Sequence, residues 1–252
     1  MRIEARDIHV RRGANPVLSG VTLAFAAGEV VALAGPNGAG KSTLLDTLCG
    51  ELLPSRGELL LDGEPLAQVS LESRARRRAM LPQRAGVAFD FSVRQVVEMG
   101  LHPHGIAASR PDGQRLVEDA ILDMDLRHLA ARPVTRLSGG EQQRAHIARI
   151  LVQARAMERP LLLLDEPTGG LDYRHQFALA DVLRRAARNG ATVIVSLHDL
   201  ALAARVADRL LLMESGAIVG DGPPAELLTA ERIAGLYGLD SRSAAGLVPQ
   251  AA

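Results

Sequence analysis

A single cysteine, Cys49, leaves the chain with no intramolecular disulfide and no thiolate cluster for zinc. It falls in an apolar segment, where it reads as a small packing residue rather than a reactive thiol. No apolar run approaches the roughly 18–20 residues that a membrane-spanning helix needs. The N-terminal Met1-Arg2-Ile3-Glu4-Ala5-Arg6-Asp7 lacks the apolar stretch of a secretory signal. Excess positive charge is missing too: Lys+Arg and Asp+Glu number 29 each, so no overall field points to nucleic acid. Internal repeats and low-complexity linkers are also absent. Together these absences predict a soluble, cytosolic chain in a reducing compartment. Its 252 residues, 47% of them hydrophobic, suffice for one large α/β domain, with or without a smaller insertion.

What is there begins with Gly35-Pro36-Asn37-Gly38-Ala39-Gly40-Lys41-Ser42-Thr43. It follows the apolar run Val30-Val31-Ala32-Leu33-Ala34, which reads as a buried parallel strand, and it opens a helix at Thr43-Leu44-Leu45. Strand, glycine loop and helix are the context in which G-x-x-x-x-G-K-[ST] binds phosphate. The loop turns successive N–H groups inward, and the helix N-terminus adds partial positive charge. Lys41 can reach the β- and γ-phosphates, and the Ser42 hydroxyl can sit on Mg²⁺. The chain is therefore expected to bind a nucleoside triphosphate.

In chain order, Ile3–Val10 and Val21–Phe25 read as strands joined through a turn at Gly13-Ala14-Asn15-Pro16. Pro54-Ser55-Arg56-Gly57 reads as a break, and Glu58–Leu61 as another strand, so residues 1–65 look like a small antiparallel layer. The arginine-rich run Leu71–Arg78 reads as a solvated helix face, a composition also compatible with a lipid or acidic contact. Residues 84–136 lack strand signals. Ser92 is placed to cap a helix ending at Gly100, and Gln114–Met124 spaces its apolar residues helically, so the block reads as an inserted helical subdomain. His102-Pro103-His104 reads as a proline loop bearing two surface histidines rather than as a metal or haem ligand.

Alternation resumes from Leu137: a helix over Glu141–Ala156, a strand Leu161–Leu164 and a helix Tyr173–Asn189 capped by Gly190. A strand Thr192–Leu197, a helix, a strand Leu210–Glu214 and terminal helices follow. This pattern predicts an α/β fold with a mainly parallel sheet. Ligands of such sheets lie at the strand carboxyl ends, where Gly35, Asp165 and His198 fall. Asp165 and Glu166 are adjacent at one strand tip, so their side chains are expected to diverge. Asp165 can then serve Mg²⁺, while Glu166 faces the γ-phosphate and an attacking water.

Leu137-Ser138-Gly139-Gly140-Glu141-Gln142-Gln143-Arg144 is a two-glycine loop feeding a second helix N-terminus. Combined with the glycine loop before it and Leu161-Leu162-Leu163-Leu164-Asp165-Glu166-Pro167 after it, the sequence resembles the nucleotide-binding subunits of ATP-binding cassette (ABC) transporters over nearly the whole chain. The resemblance implies a P-loop NTPase (RecA-like) core over 1–83 and 137–252, with 84–136 as its α-helical subdomain. It implies ATP and Mg²⁺ as ligands, and a homodimer in which each glycine loop, 35–43, faces the partner's Ser138, Gly139, Gly140 and Glu141. Lys41, Glu166 and His198 take the catalytic positions. Ser42, Gln83 and Asp165 take the metal positions, and Asp172 reaches across the dimer. Permease subunits, an indirectly coupled periplasmic or surface binding protein, and a peripheral place on the cytoplasmic face of the bacterial inner membrane complete what it implies.

Two departures stand out. Val10, Arg11 and Arg12 occupy the region where the family carries an adenine-stacking aromatic, so either affinity is weaker or an arginine covers the base. Gly169-Gly170 replaces the usual Ser-Ala before Asp172, which loosens that loop. Several stretches resemble the haemin-importing branch, among them Leu48–Gly57, Arg76–Gln83, Val87–Val93, Met99–Gly105 and Leu197–Ala204. A cobalamin or ferric-siderophore importer is the alternative within the family. A non-transport ABC ATPase of assembly or repair is the alternative outside transport.

Overall fold

The computed structural model describes residues 2–83 and 89–249; Val87-Ala88, quoted above, lie outside them. The strands are β1 (Ile3–Arg12), β2 (Asn15–Phe25), β3 (Val30–Ala34), β4 (Arg56–Leu61), β5 (Glu64–Pro65), β6 (Arg78–Leu81), β7 (Leu161–Leu164), β8 (Thr192–Ser196), β9 (Arg209–Glu214) and β10 (Ala217–Gly222). The helices are α1 (Lys41–Cys49), α2 (Leu71–Ala75), α3 (Val93–Glu98), α4 (Pro111–Asp123), α5 (Gly139–Arg155), α6 (Tyr173–Arg188), α7 (Leu200–Val206), α8 (Pro224–Leu227), α9 (Ala230–Tyr237) and α10 (Ser241–Ala245).

Two sheets form. One is antiparallel, in the order β2-β1-β4-β5; the other runs β10-β9-β3-β8-β7-β6, parallel except for its β10 edge. The strands of the parallel core are apolar at almost every position because both faces are covered. Val30, Ala32 and Ala34 of β3 face the helical side with Leu162, Leu164, Val193 and Val195. Val31, Leu33, Leu161, Leu163 and Ile194 face α1 and the antiparallel layer. Side-chain alternation along a strand thus divides one apolar run between two cores. The expected α/β architecture, antiparallel layer and helical block are all present, and α3 and α4 pack on α5. Among the described residues no helix is long and apolar enough to cross a membrane.

Local readings needed correction. The arginine run is not a solvated face throughout: α2 ends at Ala75, and Arg78 opens β6 beside β7. Arg74 donates to the carbonyls of Gly50 and Val69, both at 3.0 Å, and Arg78 to that of Cys49, so these guanidiniums tie segments together. Arg56 and Gly57 begin β4 instead of breaking the chain. β2 starts at Asn15, and its Pro16 is tolerated because β2 is an edge strand. β10 was not foreseen. The Met99–His104 segment is a 3₁₀ turn in which His102 is exposed but His104 is half-buried, so only one of the two is a surface histidine.

Candidate nucleotide site

Burial of Lys41 begins with the glycine loop. Gly35 has φ +151, and a Cβ there would lie 2.1 Å from the Met213 carbonyl oxygen, so only glycine lets the loop pass so close to β9. The loop then curls over the start of α1, where Lys41 is 5% exposed and its ammonium donates to the carbonyls of Gly35 at 2.7 Å and Pro36 at 3.0 Å. Burial pulls this ammonium below its usual pKa, opposed by the charges of Glu166 and Asp165. Asn37 and Gly38 are exposed at the rim. A cavity of about 630 Å³ opens over the loop. Arg12, Val17, residues 37–43, Gln83, Glu166 and His198 line it.

The two carboxylates diverge, though not by strand alternation. β7 ends at Leu164, and Glu166 has a left-handed backbone, φ 48, which costs a non-glycine residue energy and re-aims its side chain into the cavity. Asp165 stays 2% exposed and accepts from Ser196 Oγ at 2.6 Å; the same oxygen accepts the Glu166 amide at 2.8 Å. His198 Nε2–H donates to Glu166 Oε1 at 2.5 Å, and Gln83 Nε2 to Oε2 at 2.8 Å. Burial raises the Glu166 pKa, but bonds from Gln83 and His198 and the Lys41 charge outweigh it and hold the carboxyl below its usual value. Ser196 was missed from the sequence. Its signal was a hydroxyl closing an otherwise apolar strand two residues before His198.

The remaining expected residues lie apart from this cavity. Ser138 caps α5 in a capping box with Glu141, whose carboxylate accepts the Ser138 amide at 2.8 Å. Ser138 and Gly139 are exposed, and Gly140 abuts the loop before α6: a Cβ there would meet the Gly170 carbonyl oxygen at 2.4 Å. The double glycine is thus packed against the α5 N-terminus by close backbone approach. Asp172 is exposed and caps α6. One chain therefore presents a phosphate-loop half and a separate serine-glycine half. Arg12 forms an ion pair with Asp46 at 3.3 Å at the cavity edge, while Arg11 donates to Ala14 O at 2.5 Å. Of the two arginines weighed for the base, Arg12 is the one that lines the cavity.

The donor set fits a triphosphate with Mg²⁺. A glycine loop leading into a helix N-terminus and a lysine suit phosphate, and the Ser42 hydroxyl, Asp165 carboxylate and Gln83 amide oxygen are the hard oxygen donors such an ion takes. Among the described residues no group of three or more His, Cys, Asp or Glu could hold a metal alone. An ion carried in on phosphates needs only one or two protein oxygens.

Comparison with known proteins agrees. Residues 18–169 match the family described as ABC transporter. The chain is 47% identical over 243 residues to the hemin import ATP-binding protein HmuV of Bradyrhizobium diazoefficiens, covering 95% of this chain and 89% of that protein. It is 50% identical over 223 residues to the protein of that name from Rhodopseudomonas palustris, covering 86% and 81%. Among solved structures, an ATP binding subunit of an ABC transporter superposes with TM-score 0.79 at 25% identity, covering 97% and 98%. A bacterial Atm1-family ABC exporter with ATP bound superposes with TM-score 0.80 at 28% identity, where the chain spans 94% of itself but 41% of the exporter. With the glycine loop, the carboxylate pair and the serine-glycine helix start placed as described, the chain belongs to the ABC transporter family, among its ATP-hydrolysing subunits.

Proposed function

We propose that this chain powers a haemin importer as its ATPase, two copies closing head to tail around two ATPs on the cytoplasmic face of a bacterial inner membrane. The observation that carries haemin is 46–50% identity, over 86–95% of the chain, to proteins named for hemin import from several bacteria. The observation that favours a dimer is the separation of the two half-sites within one chain: the cavity over Lys41 does not include Ser138, Gly139 or Asp172.

In this reading the 35–43 loop cradles the phosphates and Lys41 turns from its loop carbonyls to the β- and γ-oxygens. Glu166, kept ionised by its bonded neighbours, orients a water. His198 holds Glu166 and meets the γ-phosphate, and the partner's Ser138-Gly139-Gly140 start of α5 completes the anion site. Mg²⁺ would be held by Ser42 and Asp165 with Gln83 at the rim, and when bound it neutralises charge on the phosphates. Residues 1–83 and 137–252 act as the nucleotide core, and 84–136 as the surface that receives the permease, two permease copies serving the two chains.

The test is reconstitution with the co-purifying permease in liposomes. Haemin-loaded binding protein should raise ATP turnover more than cobalamin- or siderophore-loaded protein does. Stronger stimulation by either of the others would reassign the substrate, and indifference to all three would point to an ATPase outside transport.

A further inference from the structure

His175 lies in the first turn of α6 with 17% of its side chain exposed. Its Nδ1 is 2.7 Å from Asp172 Oδ1, and because a carboxylate only accepts, Nδ1 carries the proton. The His175 backbone amide donates to the same oxygen at 2.9 Å. Ring and backbone thus hold the Asp172 carboxylate from two directions. The other ring nitrogen, Nε2, is buried without a hydrogen-bond partner among the described residues and lies 3.7 Å from Asp125 Oδ2.

Asp125 belongs to the turn that ends α4 and has a left-handed backbone, φ 51. That turn is locked by Arg144 of α5, which is 7% exposed and donates to the carbonyls of Met124 at 2.7 Å and Asp125 at 2.9 Å. Arg174 is the other charge facing Asp125, at 3.7 Å. A continuous chain of contacts therefore runs from α5, through Arg144, the Asp125 turn and His175, to Asp172. Capping α6 requires only the backbone bond to Asp172. A buried imidazole with its second nitrogen unbonded beside a carboxylate has a cost that capping alone does not require.

We propose that His175 is a positioning residue for ATP turnover. It fixes the Asp172 carboxylate through Nδ1, and its ring, lying against the Asp125 turn, keeps the loop before α6 in register with that turn and so with α5. This rests on the reading that Asp172 meets a second copy beside its ATP. His175 does not line the cavity over the glycine loop, so it acts on the rate of turnover and not on nucleotide affinity.

The experiment is steady-state ATPase of the purified full chain as wild type, His175→Ala, His175→Asn, Asp125→Asn and His175→Ala/Asp125→Asn, with thermal midpoints for each. We expect His175→Ala to lower kcat about five- to tenfold, with KM for ATP within about twofold and the midpoint nearly unchanged. His175→Asn keeps a donor for Asp172 and should recover most of the rate. Asp125→Asn puts an amide donor beside the unbonded Nε2, so it should leave kcat at or slightly above the wild-type value and change nothing in the His175→Ala background, since the two act through one contact. Unchanged kcat in His175→Ala overturns the proposal. So does a loss carried by KM, a loss that follows the thermal midpoint without rescue by Asn, or independent effects of the two sites. Absence of wild-type ATPase, or wild-type turnover in Glu166→Gln, would instead overturn the nucleotide reading beneath it.

Discussion

His198 and Glu166 are joined by a 2.5 Å hydrogen bond from Nε2–H to Oε1, across the tips of two neighbouring parallel strands. The bond serves two ends at once: it points the carboxylate into the cavity and favours its ionised form. His198→Ala should therefore lower kcat roughly a hundredfold. It should also move the acidic limb of the pH–rate profile to higher pH. In the proposed role Glu166 acts when ionised, so turnover falls as pH drops through its pKa, and losing a bond that lowers that pKa raises it. Steady-state ATPase followed from neutral pH down to below the ordinary carboxylate range reads both effects, and an acidic limb that stays put would separate His198 from Glu166.

Ser196 holds both members of the carboxylate pair through one hydroxyl and is fully buried. Ser196→Ala strips Asp165 of that donor and leaves the Glu166 amide without its acceptor. The expected cost is about 1–3 kcal/mol of folding stability, read by urea denaturation, with a fall in kcat. A variant of unchanged stability would show that other groups satisfy these atoms.

Gly140 leaves no room for a side chain, since a Cβ would lie 2.4 Å from the Gly170 carbonyl oxygen, which is backbone and cannot swing aside. Gly140→Ala should push the α5 start from the loop before α6 and lower turnover about tenfold, consistent with overpacking costs of about 1–3 kcal/mol. ATP binding to the isolated chain, measured by fluorescent-nucleotide titration, should be unchanged, because the phosphate loop is not touched.

His146 sits on α5 at 2% exposure with Nδ1 unbonded among the described residues, and burial, helped by the Arg149 charge, lowers its pKa from 6.5 to about 4. Between those values the unfolded chain takes up a proton there and the folded chain does not, so stability is present above 6.5 and drains away as pH falls towards 4. The drain from this one residue is about 3 kcal/mol. His146→Leu should flatten that part of the stability–pH curve measured by urea denaturation. Parallel curves for variant and wild type would contradict it.

Lys41, Glu166 and His198 were legible as candidates because each lies in a short motif that follows a buried apolar strand, β3, β7 or β8, and the carboxyl end of such a strand in an α/β sheet is where ligand chemistry sits. Ser196, Asp125 and His175 were not legible as a set, because their roles come from contacts between elements far apart in the chain. The strand β6 was hidden in the arginine run: only Ala79 and Leu81 of its four residues are buried, and as an edge strand it pairs with β7 alone. β10 was hidden for a similar reason, being an edge strand with two glycines and no fully buried residue. The divergence of Asp165 and Glu166 was anticipated, but its cause, a left-handed residue just past the strand, lies in the backbone and left no mark on the side-chain pattern.

The most direct measurement is the structure of Glu166→Gln with Mg²⁺ and ATP. The account predicts two copies, with each γ-phosphate near Lys41 and Ser42 of one chain and about 3 Å from Ser138 of the other. Nucleotide held by one chain, with Ser138 of every neighbouring copy turned away from it, would contradict the account.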